Sequence, residues 1–191
     1  LTGWQLTKAL ESWAWDGCNG EPAKVEVYAR AAQVELFING KSVGKKKVKK
    51  CRANFNTTYQ NGEITAVSYD ENGKEINRYS LQTAGKETVL QVRPEEKTVK
   101  PEGLAFIQLQ YTDSKGIWKP MEKHNIKVMV ENGVLKGLGS PAPYVKGNYT
   151  DHTVATYYGE AMAVVQADGN GPVKVTVADE ERFYVAEIPC E

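Results

Sequence analysis

The sequence predicts an all-β fold of two antiparallel β-sandwiches in tandem. Three observations predict it. Apolar residues recur at every second position, helical periodicity is nearly absent, and Asn-Gly and Gly-rich turn signals separate the short alternating runs. The 191 residues suit two domains of about 100 residues each. A composition of 41% apolar and 25% charged residues supplies each with a core.

The first strand reads from Lys24 to Arg30, where Val25, Val27 and Ala29 alternate with polar neighbours. In the next run Val34, Leu36 and Ile38 share one face. Asn39-Gly40 follows and tolerates the positive φ that a two-residue hairpin turn demands, so Lys41 to Lys50 is the return strand and loop. Glu63 to Tyr69 repeats the alternation, and Asn72-Gly73 turns it into Lys74 to Leu81. A boundary is expected at Thr83-Ala84-Gly85, which gives domains 1–85 (with 1–10 as a lead-in) and 86–191. Beyond it, strands are expected from Val89, at Leu104 to Tyr111, and at Ile126 to Val130. Thr153 to Tyr158, Ala161 to Ala167, Val173 to Ala178 and Phe183 to Ile188 complete the set. Asp113 to Gly116 reads as a turn, and Asp168-Gly169-Asn170-Gly171 as a hairpin joining two of these strands.

Charge and composition exclude several roles. Lys plus Arg and Asp plus Glu both number 24, a net charge of zero. A balanced chain is a poor counterion for nucleic acid or an anionic bilayer, so neither is an expected partner. The chain has no apolar run long enough for a membrane-spanning helix. The six lysines of Lys41 to Lys50 have no interleaved aromatics to stack on bases and suit an edge strand protected from aggregation. Leu1 to Leu10 carries neither an initiator Met nor a basic-then-apolar signal, and the chain is expected to be a piece of something longer. Nothing sets the compartment.

The residues that carry chemistry are sparse. Cys18, Cys51 and Cys190 are odd in number and too few for a disulfide scaffold and too far apart for a zinc site, and His124 and His152 add no ligand cluster. No metal and no cofactor are expected. Asp151 and His152 are neighbours, which in a strand point to opposite faces, so they make no hydrogen-bonded catalytic pair. The acids lie mainly on polar strand faces or in turns, as at Asp70, Asp113 and Asp179, where a carboxyl keeps an ordinary pKa and makes a poor general acid. Gly137-Leu138-Gly139-Ser140 is not followed by a helix to hold a phosphate, and Pro141 and Pro143 suit a structural loop. Asn56-Thr57-Thr58 and Asn148-Tyr149-Thr150 match the glycosylation acceptor pattern, which matters only in a secreted eukaryotic protein. Trp4, Trp13 and Trp15 precede the first strand, and Trp118 sits in a loop. Trp13, Trp15 and Trp118 are the candidate stacking platforms for sugar rings. The alternative is that Trp13 and Trp15 plug the end of the first sandwich or pack on a neighbouring domain.

The string Glu11-Ser12-Trp13-Ala14-Trp15-Asp16-Gly17, then Val25-Glu26-Val27-Tyr28, then Val34 to Gly44, resembles the β-sandwich that follows the catalytic barrel in bacterial β-galactosidases of glycoside hydrolase family 2. Gly62-Glu63-Ile64, Ala66 to Tyr69 and Thr83-Ala84-Gly85 continue the resemblance. The second half is similar to the bacterial, invasin-type immunoglobulin-like domain of such enzymes, through Leu104 to Ile107, Gly137 to Pro141 and Tyr158 to Val165. The resemblance runs from Glu11 to Ile188.

It implies two tandem immunoglobulin-like sandwiches. It also implies a retaining glycosidase as the parent enzyme, with its acid/base and nucleophile glutamates on a (β/α)₈ barrel. No position here matches those glutamates, so no catalytic residue carries over. The expected role is a non-catalytic accessory or scaffolding region, with the barrel of the same polypeptide as partner. A carbohydrate-binding module, with glycans as partner, and a cell-surface adhesin-type stalk are the alternatives.

Overall fold

A computed structural model describes residues 9–144 and 147–191 of the chain. Trp4 and most of the lead-in lie outside the described residues. The chain forms two compact units, Leu1–Thr83 and Ala84–Glu191. Every named element is a strand.

The first unit comprises β1 (Pro22–Tyr28), β2 (Gln33–Ile38), β3 (Lys41–Lys47), β4 (Arg52–Thr58), β5 (Glu63–Tyr69) and β6 (Glu75–Gln82). The antiparallel sheet β3-β2-β5-β6 faces a two-stranded ribbon, β1-β4. Between β2 and β3, Asn39 (φ 50°) and Gly40 (φ 76°) are both left-handed, the conformation a tight hairpin requires. Alternation then builds the core. Val34, Leu36 and Ile38 of β2 are buried with Ala53 and Phe55 of β4, closed at one end by Trp13 and Tyr59. Burial of each large aliphatic side chain contributes about 1.5–3 kcal/mol. β3 is an edge strand with exposed lysines, and Lys45 Nζ rests 3.5 Å above the centre of the Tyr69 ring. Charge on that edge deters pairing with another chain. The alternation of β4 escapes the sequence reading, because only Ala53 and Phe55 are apolar among polar neighbours.

The second unit comprises β7 (Val89–Pro94), β8 (Leu104–Thr112), β9 (Asn125–Glu131), β10 (Gly133–Gly139), β11 (Thr153–Ala155), β12 (Glu160–Ala167), β13 (Val173–Ala178) and β14 (Phe183–Ile188). Two four-stranded antiparallel sheets, β10-β12-β8-β7 and β11-β9-β13-β14, enclose a core rich in Val, Ile, Leu and Ala. Val128, Val165, Val173, Val175 and Val177 are wholly buried in it.

Three expectations are corrected here. Asp168–Gly171 does not close a hairpin: β12 and β13 belong to different sheets, so this turn carries the chain across the sandwich. Gly137 to Gly139 is strand β10, not loop, because Leu135 and Leu138 are buried and hold it on the core. The strand expected over Thr153 to Tyr158 ends at Ala155. Left-handed Tyr158 (φ 51°) and Gly159 (φ 71°) then turn the chain between Tyr157 and Glu160, whose backbones pair.

Candidate functional site

On the outer face of sheet β10-β12-β8-β7 lies a cleft of about 590 Å³. Its floor follows from a bulge in β10. The register with β12 shifts between Leu135 and Gly137, which turns both Leu135 and Leu138 inward and leaves Gly137 and Gly139 on the outer face. Opposite them stand Val164 and Met162 of β12, and Met162 in turn faces Gln108 of β8. One step along, Glu160 faces Gln110. Hydrogen bonds fix this polar row. Gln110 Nε2 donates to Glu160 Oε1 at 2.7 Å, Arg93 Nη2 donates to Gln110 Oε1 at 2.8 Å, and Gln108 Nε2 donates to Glu95 Oε1 at 2.8 Å.

The remaining wall is Tyr149. Its turn is pinned at both ends: Leu138 N donates to Tyr149 O at 2.7 Å, and Asp151 Oδ2 accepts from Asn148 N at 2.9 Å. The ring lies against Gly139 so closely that a Cβ there would sit 2.8 Å from Cε1. Glycine at 139 therefore seats the ring, and Tyr149 remains 66% exposed.

The same unit holds a set of hydrogen-bonded acids. Asp113 is almost fully buried and accepts three backbone N–H bonds, from Gly85 to Oδ2 (2.7 Å) and from Lys115 and Ile117 to Oδ1 (2.8 Å each). Burial pushes its carboxyl up, but the three donors outweigh burial and hold it below the ordinary aspartate range. Tyr111 donates to Asp179 at 3.0 Å, and its phenol is pushed far up, first by burial and then by that hydrogen bond. Asp179 lies low, because backbone donors from Glu181 and Arg182 and the Tyr111 hydroxyl overcome its desolvation. Glu122 lies low as well: bonds from His124, Lys119 and Thr88 overcome its burial. All three acids are held as anions by structural donors, the opposite of what a general acid needs. Among the described residues, no group of three His, Cys, Asp or Glu side chains is placed to hold a metal ion. The three cysteines are free.

The tryptophans fall into different roles. Trp13 is only 4% exposed, with Nε1 donating to Gln60 O at 3.0 Å, so it presents no ring face to a sugar. Trp13 packs in the core of the first unit. Trp15 is half-buried against the same core, its main-chain N donating to Tyr59 Oη at 3.2 Å. Trp118 is half-buried in the other unit, its Nε1 donating to Tyr158 O at 2.9 Å. None of the three lines the cleft on β10 and β12. The sequence reading passed over Tyr149, Gln108, Gln110 and Glu160. The signal that would have found them is Gly-x-Gly read with a period of two, which clears one strand face of side chains.

Residues 90–182 match the family described as glycoside hydrolase family 2 C-terminal domain 5. Residues 20–77 match a domain of unknown function, DUF4982. Over 171 residues, 86% of this chain and 20% of the relative, the sequence is 28% identical to the β-galactosidase BoGH2A of Bacteroides ovatus. A putative β-glucuronidase of Formosa agariphila is 42% identical over 69 residues, 34% of this chain and 7% of that protein. A crystal structure of a glycosyl hydrolase family 2 member from Bacteroides cellulosilyticus superposes with a TM-score of 0.87 at 26% identity, over 95% of this chain and 24% of that one. The chain thus spans about a fifth of the β-galactosidase and a quarter of the solved enzyme. Residues 90–182 belong to the C-terminal domains of glycoside hydrolase family 2 enzymes, and the chain as a whole is similar to the C-terminal β-sandwich region of such enzymes.

Proposed function

We propose that this chain is the non-catalytic accessory and scaffolding region of a β-galactosidase-like glycoside hydrolase, whose parent polypeptide hydrolyses β-galactosides or related glycans. The observation that carries the reading is the family 2 C-terminal match over 90–182, in a chain that spans only a fifth of its β-galactosidase relative. Support also comes from Asp113, Glu122 and Asp179, whose oxygens serve as acceptors for structural donors. In this reading residues 1–85 follow the barrel, residues 86–191 form the invasin-type immunoglobulin-like module, and the barrel of the same polypeptide is the partner.

The test is an assay of the purified chain with an aryl β-galactoside. The expected result is no turnover above buffer. Turnover abolished by one Glu→Gln change within these residues overturns the proposal.

A further inference from the structure

We propose that the cleft over Gly137 and Gly139 is a binding site for a neutral saccharide, with Tyr149 as its stacking platform. This goes beyond the accessory role, since a scaffold needs no such cleft, and it stands on the geometry of the second unit alone.

Three features carry it. The first is an exposed ring already seated against the sheet before any ligand arrives. Tyr149 is seated on Gly139 and pinned through its carbonyl to Leu138 N at 2.7 Å. A pre-seated aromatic offers its face to the C–H surface of a pyranose at little entropic cost. The second is a row of planar acceptors. Glu160 and Gln108 each use one polar atom within the row, and among the described residues Glu160 Oε2 and Gln108 Oε1 accept no hydrogen bond. Such oxygens match the hydroxyl donors of a sugar. The third is size and balance. A cleft of about 590 Å³ falls within the range of small-ligand sites, with Met162 and Val164 as its apolar wall.

Charge selects among sugars. Arg93 Nη2 and Glu160 Oε1 both bond Gln110, so the row carries one cation and one anion and no net charge. A uronate would lose hydration without a net attraction to replace it, so the ligand is neutral.

The experiment is a ¹⁵N–¹H correlation titration of the 191-residue chain with methyl β-galactoside, lactose and methyl β-glucuronide. Saturable shifts are expected at the backbone amides of Gly137, Gly139 and Tyr149 and at the side-chain amides of Gln108 and Gln110. The neutral sugars should bind more tightly than the glucuronide. Tyr149→Ala should weaken binding about tenfold, while Gln166→Ala, on the same sheet but outside the cleft, should leave it unchanged. Glu160→Gln is the second variant, chosen because it keeps the planar group. It should narrow the gap between the neutral sugars and the glucuronide. The proposal is overturned if no sugar gives saturable shifts, if the shifts map to Trp15 or Trp118, or if Tyr149→Ala binds as the parent does. Binding of choline without any saccharide overturns it equally, because the ring and carboxylate would then be a cation site.

Discussion

Tyr59 and Trp13 are joined twice: their ring centroids lie 4.8 Å apart, and the Tyr59 hydroxyl donates to the Trp13 main-chain carbonyl at 3.2 Å. Thr83 Oγ1 donates to the same carbonyl at 3.0 Å and accepts from Gly62 N at 3.0 Å. The segment before β1 and the segment after β6 are therefore fastened through one buried pair. This explains how a tryptophan outside every strand comes to close the core of the first unit.

Removing the Tyr59 hydroxyl tests that fastening. Tyr59→Phe keeps the ring packing but leaves Trp15 N without its acceptor and takes one donor from Trp13 O. The expected loss is about 1–2 kcal/mol, the scale of a partly buried hydrogen bond left unmade. Trp13→Ala empties the end of the core and should cost about 3–5 kcal/mol. Urea unfolding followed by tryptophan fluorescence measures the first, and far-ultraviolet dichroism the second. Equal costs for the two variants would contradict the arrangement.

Most strands were legible because each buries one face and so writes a period of two into the chain. β2 is the clearest case, with Val34, Leu36 and Ile38 all buried. What escaped has physical reasons. β10 places glycines where a strand shows outward side chains, and its bulge breaks the phase, so Leu135 and Leu138 stand three apart instead of two. The Asp168–Gly171 turn has the chemistry of a hairpin, but which sheet receives the next strand is decided by Val173, Val175 and Val177 finding their partners on β9 and β14. Turn residues carry no record of that choice. The cleft was hidden for the same reason, since Tyr149 reaches Gly139 across a turn and Gln110 reaches Glu160 across fifty positions of sequence.

Asp113 gives the second unit an acid-sensitive anchor. Its folded carboxyl sits below the ordinary value, so its contribution is fully present above the unfolded pKa of about 4 and is lost as pH falls through the folded value. Asp113→Asn removes this dependence. At neutral pH it turns an amide N–H₂ toward Gly85 N, where Oδ2 had accepted at 2.7 Å, for an expected cost of about 1–3 kcal/mol. As pH falls through the folded value the parent side chain is neutralised as well, and the difference between the two proteins should shrink. Thermal unfolding at neutral pH and at successively lower pH measures the convergence. A gap that widens in acid would show that other groups dominate.

Gly62 and Gly73 are both left-handed glycines next to strands of the first unit, yet they should respond differently to alanine. Gly73 (φ 80°) has no heavy atom within 4 Å of where a Cβ would stand, so Gly73→Ala carries only the cost of a left-handed L-residue, about 1 kcal/mol. Gly62 (φ 123°) faces Asn39, whose Oδ1 would lie nearly in bonding range of the new Cβ. Asn39 cannot simply swing away. Its Nδ2 donates to Asn61 O at 2.9 Å, and its Oδ1 accepts from Glu63 N at 2.8 Å, contacts that bind the β2–β3 hairpin to the start of β5. Gly62→Ala should therefore cost about 3 kcal/mol or more, with strain and broken hydrogen bonds together. The clash can be separated from the backbone strain. In an Asn39→Gly background the side chain is gone and the hairpin turn remains permitted, so the added cost of Gly62→Ala should fall by at least about 1 kcal/mol. Urea midpoints for the four proteins of this cycle measure the coupling. Strict additivity would assign the whole penalty to φ and leave Asn39 no part in it.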